Sequence, residues 1–139
     1  MIGTDFDLDS FISRHITRRN ESLFSADLAA HETTLRERIA GRSVLVIGGA
    51  GTIGSSFIRA LLPFGPARLV VVDSSENGLT ELTRDLRSDA GLTVPADYVT
   101  CPIDFGSDTF QRMFTASGSF EIVAHFAALK HVRSEKDRF

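Results

Sequence analysis

Residues 44–54 read Val44-Leu45-Val46-Ile47-Gly48-Gly49-Ala50-Gly51-Thr52-Ile53-Gly54. Four branched apolar residues in succession suit a strand buried on both faces, which needs no polar alternation. Gly48, Gly51 and Gly54 follow, spaced three apart, with Gly49 as a fourth glycine. Beyond them Ile53, Phe57, Ile58 and Leu61 recur at helical spacing on one expected face. The stretch predicts strand, tight turn and helix. Such a turn directs unpaired main-chain N–H groups and the positive end of a helix dipole at one point, which suits a pyrophosphate. Gly48 permits the sharp exit from the strand, Gly51 keeps side-chain bulk away from the phosphates, and Gly54 allows close helix–sheet packing. Thr52 and Ile53, within the same turn, join the candidate cofactor-binding set. No Gly-Lys-Ser/Thr follows, which excludes a Walker phosphate loop. A strand-to-helix turn that binds nothing is the plain alternative.

The second landmark is Arg68-Leu69-Val70-Val71-Val72-Asp73, another apolar strand with an acid at its tip, nineteen residues after Gly54. Asp73 there can accept hydrogen bonds from the ribose hydroxyls of an adenosine. Its charge opposes a 2′-phosphate, so NAD is favoured over NADP. Ser74 follows it in the candidate site. Asp73, Ser74 and Ser75 equally suit a helix N-cap, and at this level that reading stays open.

From Gly41 onward strand and helix patterns alternate. Strands are expected at 43–48, 68–73, 97–101 and 121–126, with helices at 52–63, 76–89 and 107–116. Pro63, Gly65 and Pro66 end the first of these helices. Alternation of this kind predicts an α/β fold: a Rossmann-type parallel sheet of order 3-2-1-4 with flanking helices. The cofactor would sit at the switch point between strands one and four. Residues 1–40 read as a separate N-terminal helical extension, with Phe11, Ile12 and Ile16 in one segment and Leu28, Leu35 and Ile39 in another. Ser25 is a candidate N-cap and Gly41 a candidate stop. Arg14, Arg18 and Arg19 read as a solvated helix face. Residues 41–139 read as the NAD(P)-binding Rossmann domain.

The 139 residues, 42% hydrophobic and 24% charged, suit one ordinary globular domain. A net charge of −3 without a basic stripe argues against a nucleic-acid partner. Cys101 is the only cysteine, which rules out an internal disulfide and a cysteine metal cluster. No apolar run approaches the roughly 20 residues of a membrane span, and the acidic N-terminus lacks a signal-peptide pattern. A cytoplasmic location is the expectation.

The turn Gly-Gly-Ala-Gly-Thr-Ile-Gly, then Asp73-Ser74-Ser75-Glu76-Asn77, then Asp104, then His125-Phe126-Ala127-Ala128-Leu129-Lys130-His131-Val132 together resemble one family. It is the polysaccharide-biosynthesis sugar-nucleotide 4,6-dehydratases, a branch of the extended short-chain dehydrogenase/reductases. The resemblance spans roughly residues 41 to 137 and implies an NAD or NADP cofactor and a nucleotide-sugar substrate. It implies that Asp104 hydrogen-bonds the adenine amino group and that Ala127 and Ala128 lie against the cofactor. Lys130 and His131 would face the nicotinamide or the sugar nucleotide. The alternatives are a capping or loop carboxylate for Asp104, close packing for the alanines, and a solvated turn for Lys130 and His131. His125 reads as a buried core histidine, and no third ligand accompanies it and His131 for zinc.

The family's reaction takes hydride from C4 of a hexose, removes water across C5 and C6, and returns hydride to C6. That lyase chemistry uses a Ser/Thr and a Tyr-x-x-x-Lys motif, or a Thr-Asp-Lys variant. Tyr98 is the only tyrosine and Pro102 stands four residues on, so Tyr98 is not that base. Ile47 also replaces the threonine usual before the first glycine. The domain thus reads as truncated, inactive by itself, with its fourth strand left as an edge that pairs with another copy or leads into a mobile tail. A stand-alone NAD(P)-binding sensor module and a degenerate interaction scaffold are the competing expectations.

Overall fold

A computed structural model describes residues 7–128. Contacts divide the chain into two compact units, one running through Thr34 and one starting at Leu35. The first unit opens with a short helix, α1 (Leu8–Phe11), that passes directly into a π-helical turn over Ile12–Thr17. Arg18, at φ 52° and ψ 32°, ends that turn in the left-handed region. One ordinary helix was the expectation here. Helix α2 (Ser25–Ile39) begins at Ser25 itself, so Ser25 is its first residue rather than its cap.

The second unit is an α/β layer structure. Its strands are β1 (Ser43–Ile47), β2 (Arg68–Asp73), β3 (Asp97–Pro102) and β4 (Ile122–His125). They form one parallel sheet of order β3-β2-β1-β4, as the alternation predicts. The register pairs Leu45 with Val70 and with Val123, and Ile47 with Val72 and with His125. Helices α3 (Thr52–Leu61), α4 (Glu76–Ser88) and α5 (Asp108–Ala116) connect the strands. Alternate residues of the central strands feed two cores. Val44, Val46, Leu69 and Val71 meet Ile58 and Leu61 of α3 and Leu79, Leu82 and Leu86 of α4. Leu45, Ile47, Val70 and Val72 meet Phe110 and Met113 of α5 together with Phe120. Cover on both faces is why β1 and β2 read as unbroken apolar runs.

Element ends follow local chemistry. Strand β1 stops at Ile47 because Gly48 turns to φ +79°. Helix α3 tightens into a 3₁₀ turn at Leu62–Phe64, where Pro63 cannot donate an N–H, and Gly65 at φ +71° closes it. Ser75 caps α4 by accepting from the Gly78 N–H at 3.1 Å, and Ser107 caps α5 by accepting from the Phe110 N–H at 3.2 Å. Strand β4 is shorter than its apolar pattern, although the Phe126 N–H still donates to the Ile47 carbonyl at 2.7 Å. His125 corrects the sequence reading: it is exposed on this edge strand, with its ring edge-on to Phe105 at 4.8 Å.

Candidate functional site

The loops that leave the carboxyl ends of all four strands converge on one open cleft of about 730 Å³. Volumes of this order hold cofactor-sized ligands. Gly48, Gly51, Thr52, Ile53 and Gly54 enter it from the β1–α3 turn, and Asp73 and Ser74 from the tip of β2. Asp104 follows β3, while Ala127 and Ala128 follow β4. The fold thus brings ten of the eleven sequence-selected binding positions to one cavity. The eleventh, Lys130, lies outside the described residues, as do His131 and the chain after Ala128 that was expected to be mobile.

The glycines of the turn differ in what demands them. A Cβ on Gly48 would stand 2.5 Å from the Ala127 nitrogen and 2.8 Å from its Cα, because the β4 loop crosses directly over the turn. A Cβ on Gly54 would overlap the Gly48 carbonyl oxygen. Both are required by the chain's own packing. Gly51 has φ −74°, and its Cβ would meet nothing nearer than the Gly48 oxygen at 3.6 Å. The fold therefore tolerates a side chain at Gly51, and that side chain would enter the cleft. Gly51 is also the N-cap of α3, with no side-chain cap bond, whereas serines cap α4 and α5. Helix N-termini leave donors unsatisfied unless a cap or a ligand takes them. This one is left uncapped at a cleft, an arrangement that fits an anion.

Asp73 is not the α4 cap, since Ser75 fills that place. Its Oδ2 accepts from the Ala50 N–H at 3.0 Å and its Oδ1 from the Ser75 N–H at 2.9 Å. An ionised carboxylate has about four lone-pair sites, so capacity remains for ribose hydroxyls. Asp104 likewise is not the α5 cap; its Oδ1 accepts from the Gly106 N–H at 2.9 Å and shapes the loop after β3.

One side chain departs from its expected face, and one lining residue was not selected from the sequence. Ile53 does not share the buried face of Ile58 and Leu61 but is 57% exposed, on the cleft. Phe105 lines the cleft while 43% exposed, and nothing in the sequence distinguished it from a core aromatic. Ile47, Val72, Ile103 and Phe126 complete the wall; as apolar strand ends beside named residues they could have been selected by position alone. Tyr98 stands apart from the cleft, half-buried against α4 with its hydroxyl 3.1 Å from Thr83 Oγ1. Burial raises its pKa above the usual tyrosine value. Among the described residues no helix is long and apolar enough to cross a membrane, and no cluster of His, Cys, Asp or Glu is placed to hold a metal.

A parallel sheet of this order, with an uncapped glycine turn and an acid at the tip of β2, defines a Rossmann-type fold of the short-chain dehydrogenase/reductase kind. The family model described as polysaccharide biosynthesis protein matches residues 44–137, and the chain belongs to that family. Among curated proteins it is 38% identical over 95 residues to UDP-glucose 4-epimerase 3 of Oryza sativa subsp. japonica, covering 67% of this chain and 25% of that protein. It is 35% identical over 91 residues to an uncharacterized membrane protein of Methanocaldococcus jannaschii, covering 66% of this chain and 25% of that one. Among solved structures, Pen from Bacillus thuringiensis superposes with a TM-score of 0.56 at 30% identity, covering 68% of this chain and 27% of that one. The chain spans about a quarter of the length of these relatives.

Proposed function

We propose that this chain supplies the nicotinamide-dinucleotide site of a nucleotide-sugar dehydratase or epimerase of polysaccharide biosynthesis. The observation that carries the reading is the open α3 N-terminus at Gly51, where the fold accepts a Cβ but the sequence has none. The turn from Gly48 to Gly54 would hold the pyrophosphate, Asp73 and Ser74 the adenosine ribose, and Asp104 the adenine amino group. Ala127 and Ala128 would lie against the cofactor. When bound, the cofactor accepts and returns hydride; the residues of this chain bind and orient it. The Asp73 carboxylate disfavours a 2′-phosphate, so NAD(H) is the preferred form. Nucleotide sugar is the substrate of the longer protein, and the cytoplasm, where Cys101 stays a free thiol, is its compartment.

A binding module without catalysis is the second reading. It is favoured by the position of Tyr98, the sole tyrosine, away from the cleft. Calorimetric titration with NAD(H) and NADP(H) tests the common core of both. Binding of NAD(H) with weaker binding of NADP(H) is the expected result. Absence of heat with all four nucleotides would remove both readings.

A further inference from the structure

The Asp73 carboxylate spans two loops. Through Oδ2 it holds the Ala50 N–H in the middle of the glycine turn, and through Oδ1 it holds the Ser75 N–H at the head of α4. Helix α4 lies against the same place: Ala50 packs on the core that holds Leu79 of α4, and a Cβ added to Gly78, in the first turn of α4, would come within 2.9 Å of both the Ala50 Cβ and the Ser75 Oγ. Ala50 is therefore pinned on its amide by the tip of β2 and on its methyl by α4. On one side of Ala50 the Gly48 and Gly49 N–H groups donate to the Val72 carbonyl at 2.7 and 3.4 Å; on the other, Gly51 carries no side-chain cap.

We propose that Asp73 is a positioning residue for the phosphate-binding turn, in addition to any contact it makes with ribose. Its hold on Ala50 fixes the Gly49–Ala50 peptide plane, and the peptides that follow, through Gly54, continue from that plane into α3. It also commits the Ala50 donor to a protein carboxylate, which leaves the diphosphate to the N–H groups that come after. The diphosphate and the ribose thus read one shared structure rather than two separate subsites. The inference rests on the dinucleotide reading given above. Its ligand class is the adenosine 5′-diphosphate moiety, and its claim is that part of Asp73's effect on binding is independent of the ribose hydroxyls.

The test compares ADP with 2′,3′-dideoxy-ADP, which keeps the diphosphate and lacks both hydroxyls, by calorimetry on the whole chain and its Asp73→Ala variant. A carboxylate that only binds ribose would leave dideoxy-ADP affinity unchanged in the variant. A carboxylate that positions the turn lowers it about tenfold, the scale of one lost charge-assisted hydrogen bond, and lowers ADP affinity further. An unchanged dideoxy-ADP affinity overturns the proposal. Asp73→Asn provides a second variant, which keeps the side chain's size while replacing one acceptor oxygen by a donor, and it serves alone if Asp73→Ala does not fold. Lower dideoxy-ADP affinity in that variant supports the proposal, and unchanged affinity overturns it. Failure of the unaltered chain to bind ADP at all would defeat the dinucleotide reading itself and the inference with it.

Discussion

Gly48 and Gly51 sit three residues apart in one turn, yet substitution at each should have opposite consequences. Gly48→Ala places a methyl against the Ala127 backbone at φ +79°, where no small shift relieves it. Strain plus steric overlap of this kind costs roughly 2–4 kcal/mol, read as a lower urea midpoint. Gly51→Ala meets only ordinary contact distances, so stability should stay within about 0.5 kcal/mol of the parent. Dinucleotide affinity should nevertheless fall by about tenfold, or ~1.4 kcal/mol, because the methyl occupies the space of the phosphates. Unchanged NAD affinity in Gly51→Ala would remove the main support for the proposed site.

At the scale of elements, the helix starts form an internal contrast. Ser75→Ala and Ser107→Ala each remove a cap from a helix, at about 1 kcal/mol apiece by chemical denaturation. Helix α3 has no such serine to lose, and its end is the one at the cleft. The opposite end of the sheet has its own electrostatics. Glu121, just before β4, accepts from the Arg42 guanidinium and from the Ser43 N–H at 3.1 Å, and these contacts hold its carboxyl below the usual value of 4.5. A carboxylate with a lowered folded-state pKa contributes stability that is present above the unfolded value and lost as pH falls through the folded one. The urea midpoint should therefore decline as pH drops below about 4.5, and Glu121→Gln should flatten that decline. An identical acid profile in parent and variant would show that the contact has no such role.

For the whole molecule, strand β4 presents an edge with no partner among the described strands, and its own Val123 is 52% exposed. Unpaired strand edges with apolar surface invite pairing between chains. Sedimentation should show concentration-dependent self-association that Val123→Lys suppresses; a parent chain that stays monomeric across the series would contradict this. The chain should also bind NAD(H) without converting a UDP-sugar, since Tyr98 is its only tyrosine and is engaged with Thr83. Product formation from UDP-glucose or UDP-N-acetylglucosamine, followed by proton NMR, would refute that expectation.

Helix positions and the glycine turn were legible in the chain itself, because they depend on near-neighbour chemistry: apolar runs, turn residues and caps; strand order followed from the handedness of the strand–helix–strand crossovers. Residues 44–54 and 68–73 needed no distant partner to be read as strands that end in a phosphate-binding turn and an acid. The side-chain directions were not legible in the same way. A helical period placed Ile53 with Ile58 and Leu61, whereas its place in the glycine turn put it in the candidate binding set, and the fold exposes it on the cleft. His125 sits in an apolar strand and is nonetheless exposed, because β4 lies at the sheet edge. The bond from Asp73 to Ala50 joins residues twenty-three apart, and no local pattern announces it. Periodicity fixes which residues share a face; what covers that face depends on segments that only folding brings together.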